Sequence, residues 1–176
     1  KLPRTYFDYA DMLNSYNEGG YTFTPPVGLI NGLAASIAML KAEGLENVYA
    51  RHHRLAEATR RAVGGWGLQV CAARPDLYSD TVTGVMAPEG FNGTDVVTLA
   101  ASKYGVAFGV GLGEVAGKLF RIGHLGSLTD VMLLSGLATA EMCMADLGWP
   151  VKLGSGVAAA QEYLRGTAAE PIAKAA

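Results

Sequence analysis

The chain has 176 residues, 50% of them hydrophobic and 17% charged, a balance that suits a packed globular protein and excludes intrinsic disorder. Its 14 Lys and Arg against 16 Asp and Glu give a net charge of −2 with the basic residues scattered, so the electrostatic footprint of a nucleic-acid binder is missing. No apolar run approaches the ~20 residues of a membrane span, and two distant cysteines, Cys71 and Cys143, fit a reducing compartment, by default the cytoplasm.

The chain opens on Lys1 rather than Met and runs directly into LPRTYFDYAD with no leader, so it reads as a piece of a longer protein. Residues 1–24 carry many aromatics and little periodicity, which predicts an irregular, entering segment. Thr24-Pro25-Pro26 then gives a helix start, with Thr24 as cap and proline in the first turn. Leu29, Ile30, Leu33, Ile37 and Leu40 follow at helical spacing until Gly44. A second helix carries Val48, Tyr49, His52, Leu55, Ala56 and Thr59 on one face and ends near GGWG; Arg51, Arg54, Glu57, Arg60 and Arg61 on its other face read as solvated surface.

Beyond it the rhythm changes. Four short segments rich in β-formers, 68–72, 81–87, 106–110 and 118–123, read as strands. A helix capped by Asn92 and ended by Gly105 separates the second from the third. A further helix starts near Ser127 or Thr129, with Leu133, Leu137, Ala140, Met144 and Leu147 as its stripe, and a last one spans about 157–164 before an alanine-rich tail that is expected to fray. Helices interleaved with strands predict α/β or α+β layering, with helices covering a small sheet.

Three places could carry chemistry. In LFRIGHLG (119–126), Arg121 stands among apolar residues, where a guanidinium is costly unless partnered. Either it is a fork for a carboxylate ligand or it pairs with an acidic residue of the protein. His124 beside it reads as a hydrogen-bonding loop residue rather than a general base. In GGYTFTPP (19–26), the hydroxyls of Tyr21 and Thr24 precede a helix start that could attract phosphate, or else they merely pack and cap. The stretch FGVGLGEVAGK (108–118) fits neither phosphate-binding fingerprint, because a strand rather than a helix follows it. It reads as a flexible loop, with Lys118 facing solvent. Adjacent His52 and His53 point about 100° apart on a helix and cannot share a metal.

Taken in order, YTFTPPVGLINGL, EGLENVYARHHRLAEATR, SDTVTGVMAPEG and GVGLGEVAGKLFRIGHLG resemble the class V aminotransferases of the alanine/serine–glyoxylate group, especially the serine–glyoxylate and aspartate–glyoxylate members. The resemblance implies the α/β fold type I of pyridoxal-phosphate enzymes: the end of the large domain over 1–25, connecting helices over 26–64, and a small α+β C-terminal domain over 65–176. It implies transfer of an amino group from L-serine or L-aspartate to glyoxylate by a ping-pong route, with alanine as an alternative donor. In this family the arginine of the R-I-G motif, here Arg121, binds the α-carboxylate. The tyrosine and threonine before the paired prolines, here Tyr21 and Thr24, bind the phosphate of the neighbouring subunit's pyridoxal 5'-phosphate, which implies a homodimer with composite sites. The Schiff-base lysine is expected upstream, since the LPRTYFD that follows Lys1 does not fit it, and this segment alone should not transaminate. Two rival readings are a cysteine desulfurase-like enzyme, disfavoured because Cys143 lies in a helix stripe and Cys71 opens no catalytic loop, and a non-catalytic dimerisation domain.

Overall fold

The computed structural model describes residues 5–167, and the chain divides into two units, Lys1–Leu45 and Glu46–Ala176. Lys1 and the alanine-rich tail beyond residue 167 lie outside the described residues.

The first unit holds two helices where the sequence announced one. Helix α1 (Tyr9–Asn17) starts at Asp8, whose carboxylate accepts from the Ala10 N–H at 3.0 Å. None of its residues is buried, although Tyr9, Met12, Leu13 and Tyr16 recur at helical spacing, and the expected irregular segment is in part a capped helix. The Thr22 hydroxyl donates to Ser15 Oγ at 3.1 Å, which ties the following segment back to α1. Helix α2 (Val27–Glu43) begins after Pro26 without any side-chain cap, so Thr24 does not cap it as expected. Proline itself supplies the start, since its fixed φ, here −78°, is already helix-compatible.

The second unit is built around α3 (Leu45–Gly65), whose buried face, Val48, His52, Leu55, Ala56 and Thr59, is the predicted one except for Tyr49, which is exposed. Its charged face is less solvated than expected. Arg54 is only 17% exposed and grips Asp130 with both terminal nitrogens, at 2.6 and 2.7 Å, while a third bond reaches Leu164 O at 2.9 Å. Arg60 is 9% exposed, bonded to Glu57 at 2.9 Å and stacked on the Tyr78 ring. Arg60's pairing with Glu57 is local, but Asp130, Leu164 and Tyr78 lie far along the chain, and helical spacing carries no trace of them.

The sheet has three strands, β1 (Val82–Met86), β2 (Gly109–Val110) and β3 (Leu119–Gly123), in the order β1-β3-β2 with both pairs antiparallel. The expected strand at 68–72 shrinks to a single bridge, Val70 with Val85, at the edge of β1. Between β1 and β2, Asn92 caps α4 (Gly93–Leu99) by accepting from Thr94 N–H at 2.9 Å, and the helix runs on as a π turn to Tyr104 before Gly105 at φ 66°. After β3 come α5 (Asp130–Asp146), capped by Thr129, the later of the two expected starts, and α6 (Ser155–Gly166).

Alternation along β3 sorts the sheet into two faces. Phe120 and Ile122, with Val85 from β1, point into a core completed by Leu55 and Val63 of α3, Leu137 and Met144 of α5, and Trp149. Phe120 has no exposed surface and meets Trp149 and Phe108 edge-on, at 6.1 and 5.9 Å between ring centroids. Leu119, Arg121 and Gly123 point to the other face. No helix among the described residues is long and apolar enough to cross a membrane.

Candidate functional site

Arg121 occupies the middle of the central strand, opposite Gly84 of β1 and Gly109 of β2. A charged side chain between two glycines has room that neighbouring side chains would otherwise fill. Its Nε donates to the Val110 carbonyl at 2.9 Å. Among the described residues no carboxylate lies within ion-pairing distance of it, and neither terminal nitrogen has an acceptor. No buried side-chain nitrogen or oxygen among the described residues lacks a partner, so those nitrogens reach solvent. One edge of a planar fork is thus spent on the backbone, and the other is presented outward, the arrangement that suits a carboxylate.

The turn after β3 is fixed from beneath by two histidines. His124 is fully buried; its Nδ1 donates to the Asp80 carbonyl at 3.1 Å, which leaves Nε2 to accept from the Thr83 hydroxyl at 2.9 Å. Burial, chiefly, pushes its pKa down to about 4, Arg60 and His52 adding to the effect against the opposing pull of Asp80. His52 on α3 donates from Nδ1 to Val48 O at 2.7 Å and accepts the Gly126 N–H on Nε2 at 3.0 Å, while Arg51 donates to Gly126 O at 2.6 Å. His124 is therefore the hydrogen-bonding residue expected, but in the core rather than on a loop surface.

A consequence is measurable. The folded value of His124 lies below the ordinary 6.5, so the unfolded chain takes up the proton first as the pH falls. The stabilisation, on the order of 3 kcal/mol, is complete above pH 6.5 and is lost between 6.5 and about 4. Thermal unfolding across that window should show a steep loss of stability that flattens in His124→Asn, which keeps a donor near Asp80 and removes the titration. Equal slopes in both proteins would contradict it.

Tyr21 and Thr24 lie in the first unit, Arg121 in the second. Tyr21 is 76% exposed, Thr24 is exposed, and neither hydroxyl has a hydrogen-bond partner among the described residues. They stand just ahead of the start of α2, which lacks a side-chain cap. Two unengaged hydroxyls at an uncapped helix start fit an anionic group.

The glycine-rich stretch is not the flexible loop anticipated. Gly111 N–H bonds Leu119 O, Val115 N–H bonds Leu112 O, and Lys118 N–H bonds Val115 O, at 3.2, 3.2 and 3.1 Å. A Cβ on Gly111 would lie 2.1 Å from Val115 O, so the turn closes only with glycine there. Lys118 is exposed, as expected. Cys143 is fully buried and Cys71 exposed. Among the described residues no cluster of His, Cys, Asp and Glu could hold a metal ion.

Sequence reasoning missed Glu141, 2% exposed on α5, which accepts from Trp66 Nε1 at 2.8 Å, from Val157 N–H at 3.2 Å and from Gly154 N–H. It caps α6, whose own N-cap, Gly154, has no side chain. The only signal in the sequence is an acidic residue inside an apolar helix stripe.

No protein-family model matches the chain. It is 62% identical over 176 residues to the L-aspartate–glyoxylate aminotransferase of Paracoccus denitrificans, covering 100% of this chain and 44% of that protein. It is 49% identical over 175 residues to the serine–glyoxylate aminotransferase of Methylorubrum extorquens, covering 99% of this chain and 43% of that one. Among solved structures, the pyridoxamine–pyruvate aminotransferase of Mesorhizobium loti superposes with a TM-score of 0.78 at 36% identity, covering 83% of this chain and 38% of that one. The chain thus spans less than half the length of the relatives it matches. With its three-stranded sheet and covering helices, the chain has the fold of the C-terminal portion of these aminotransferases, and it resembles the serine–glyoxylate and aspartate–glyoxylate enzymes over its whole length.

Proposed function

We propose that the complete protein transfers an amino group from L-aspartate or L-serine to glyoxylate, giving glycine and an oxo acid, as a pyridoxal-phosphate-dependent cytoplasmic homodimer. The observation that carries this reading is Arg121: a half-buried guanidinium in the central strand, anchored by Nε, with no carboxylate among the described residues paired to its terminal nitrogens. Both substrates and both products of such a transfer carry an α-carboxylate, so one arginine serves both halves of the reaction. Holding that carboxylate fixes the direction of the neighbouring Cα–H bond, which is a positioning contribution.

Tyr21 and Thr24 would hold the cofactor phosphate, in the neighbouring subunit's site, through their free hydroxyls beside the start of α2. Bound pyridoxal phosphate supplies the electron sink for cleavage of the Cα–H bond. In this scheme residues 1–25 end the large cofactor-binding domain, 26–64 form connecting helices, and 65–176 form the small C-terminal domain. The chain is similar to an aspartate and a serine enzyme alike, which supports either donor.

The test is an absorbance titration of the complete natural protein with L-aspartate, L-serine and L-alanine in turn. Conversion of the cofactor's carbonyl-form absorption to that of its amine form is expected, fastest with the physiological donor. A protein with no cofactor absorption would remove the roles of Arg121, Tyr21 and Thr24 together, leaving a non-catalytic dimerisation domain as the better reading.

A further inference from the structure

The glycine-rich stretch before β3 has no task in the reaction as proposed, yet it contains the residue opposite Arg121. Gly84 and Gly109 flank the arginine in register, and all three point to the same face of the sheet. The two glycines are not equivalent. A Cβ at Gly84 would meet Cys71 Cβ at 3.2 Å and Leu119 Cδ2 at 3.5 Å, and would not meet Arg121. The three atoms nearest to a Cβ at Gly109 would all belong to Arg121: Nε at 3.0 Å, Cβ at 3.2 Å and Cζ at 3.4 Å. The guanidinium therefore lies across the Cα of Gly109, and its Nε–H bonds the carbonyl of the next residue, Val110, at 2.9 Å. The backbone at Gly109 is not in the left-handed region, so an L residue could adopt it; the arginine is what fills the space.

We infer that Gly109 and the Val110 carbonyl form a positioning device for Arg121, laying the guanidinium flat on β2 so that Nε is engaged by the protein and both terminal nitrogens face the ligand. The inference rests on the carboxylate-binding reading of Arg121. A guanidinium offers a carboxylate two forks, one through the two terminal nitrogens and one through Nε and a terminal nitrogen. Val110 occupies Nε, so the carboxylate must be taken end-on. The turn behind β2 keeps the device rigid, because Gly111 N–H bonds Leu119 O and the turn closes on itself through Val115. Gly109 is a positioning residue: it acts through the arginine and touches no ligand.

The experiment is a mutant cycle in the complete natural protein, read by KM for amino donor and glyoxylate and by the inhibition constant of glycolate, a carboxylate that cannot accept an amino group. Gly109→Ala should raise all three by about tenfold, the effect of tilting a fork off its preferred rotamer. Gly84→Ala, which crowds the exposed Cys71 instead, should leave them within about twofold. In an Arg121→Ala background, Gly109→Ala should add nothing further. Thermal midpoints measured alongside show that each variant folds. Equal losses from Gly84→Ala and Gly109→Ala, or an undiminished Gly109→Ala effect without the arginine, would mean that glycine serves the sheet and not the fork, and would overturn the inference while leaving the carboxylate role intact. If Arg121→Ala itself changes nothing, the carboxylate reading falls first and the positioning device falls with it.

Discussion

Arg121→Ala in the complete natural protein is expected to raise KM for the amino donor and for glyoxylate together, each by roughly a hundredfold, the loss of a two-pronged charge-assisted pair. The joint effect is the diagnostic part. An arginine that recognised one substrate's side chain would affect a single half-reaction, whereas one that grips the α-carboxylate is used by every substrate in turn. Stability should hardly move. Arg121 is half-buried and its single bond goes to Val110 O, so its loss from the fold costs about 1 kcal/mol or less. Arg121→Lys keeps the charge but loses the fork and the Nε–H that reaches Val110, so it should recover only part of the affinity. Steady-state kinetics of both half-reactions, with thermal melting as the control, decide the matter. Unchanged KM values would end the carboxylate assignment, and a large fall in melting temperature would recast Arg121 as structural.

How much of this could be read from the sequence depends on how far each residue's partners lie along the chain. Helix α3 was legible because one face is apolar at helical spacing and the other charged, and α5 because Leu133, Leu137, Ala140 and Met144 recur at that spacing between a Thr129 start and Gly148; in both, those positions are the buried ones apart from Tyr49 of α3. The strand of Arg121 was legible from its β-formers, and the arginine itself from its setting: a charge amid apolar residues is costly enough to demand an explanation. Helix α1 was legible too, from Tyr9, Met12, Leu13 and Tyr16 at helical spacing behind the Asp8 cap, but its nine residues lie within a stretch dense in aromatics that reads as irregular. The segment 68–72 has strand composition, but one bridge to Val85 is all the pairing it finds. The pairing of Gly84 and Gly109 with Arg121 was out of reach, because residues 37 and 12 positions away are brought into line by sheet register alone. The same holds for Arg54, whose partners Asp130 and Leu164 lie on two later helices. The recognisable motif thus named the arginine, and the fold supplied what aims it.

Glu141→Ala should be among the most destabilising single changes in the second unit, by about 3–5 kcal/mol. The carboxylate sits on α5 at 2% exposure and accepts from three donors on two other elements: Trp66 Nε1 at the end of α3, and Gly154 N–H and Val157 N–H at the start of α6. Each donor is a group that water would otherwise satisfy. Removing the acceptor leaves a buried indole N–H and the first-turn amides of a helix without partners, and it opens a void between packed helices. The geometry is tight enough that a Cβ on Gly156 would lie 2.2 Å from Trp66 Nε1, so neither the indole nor α6 can shift to seek water. Glu141→Gln keeps one carbonyl acceptor but places an NH2 group against a donor, so it should recover less than half of the loss. The local readout is hydrogen exchange. Amides in the first two turns of α6 should lose protection in Glu141→Ala, along with a fall in melting temperature, while those of β3 keep theirs if the effect is confined to the cap. Protection unchanged in α6 would mean that the helix start is held by packing alone and that Glu141 is tolerated in the core without stabilising it. Were β3 to lose protection as well, the cap and the strand that bears Arg121 would belong to one cooperative unit, and Glu141→Ala would weaken carboxylate binding with no contact to the ligand.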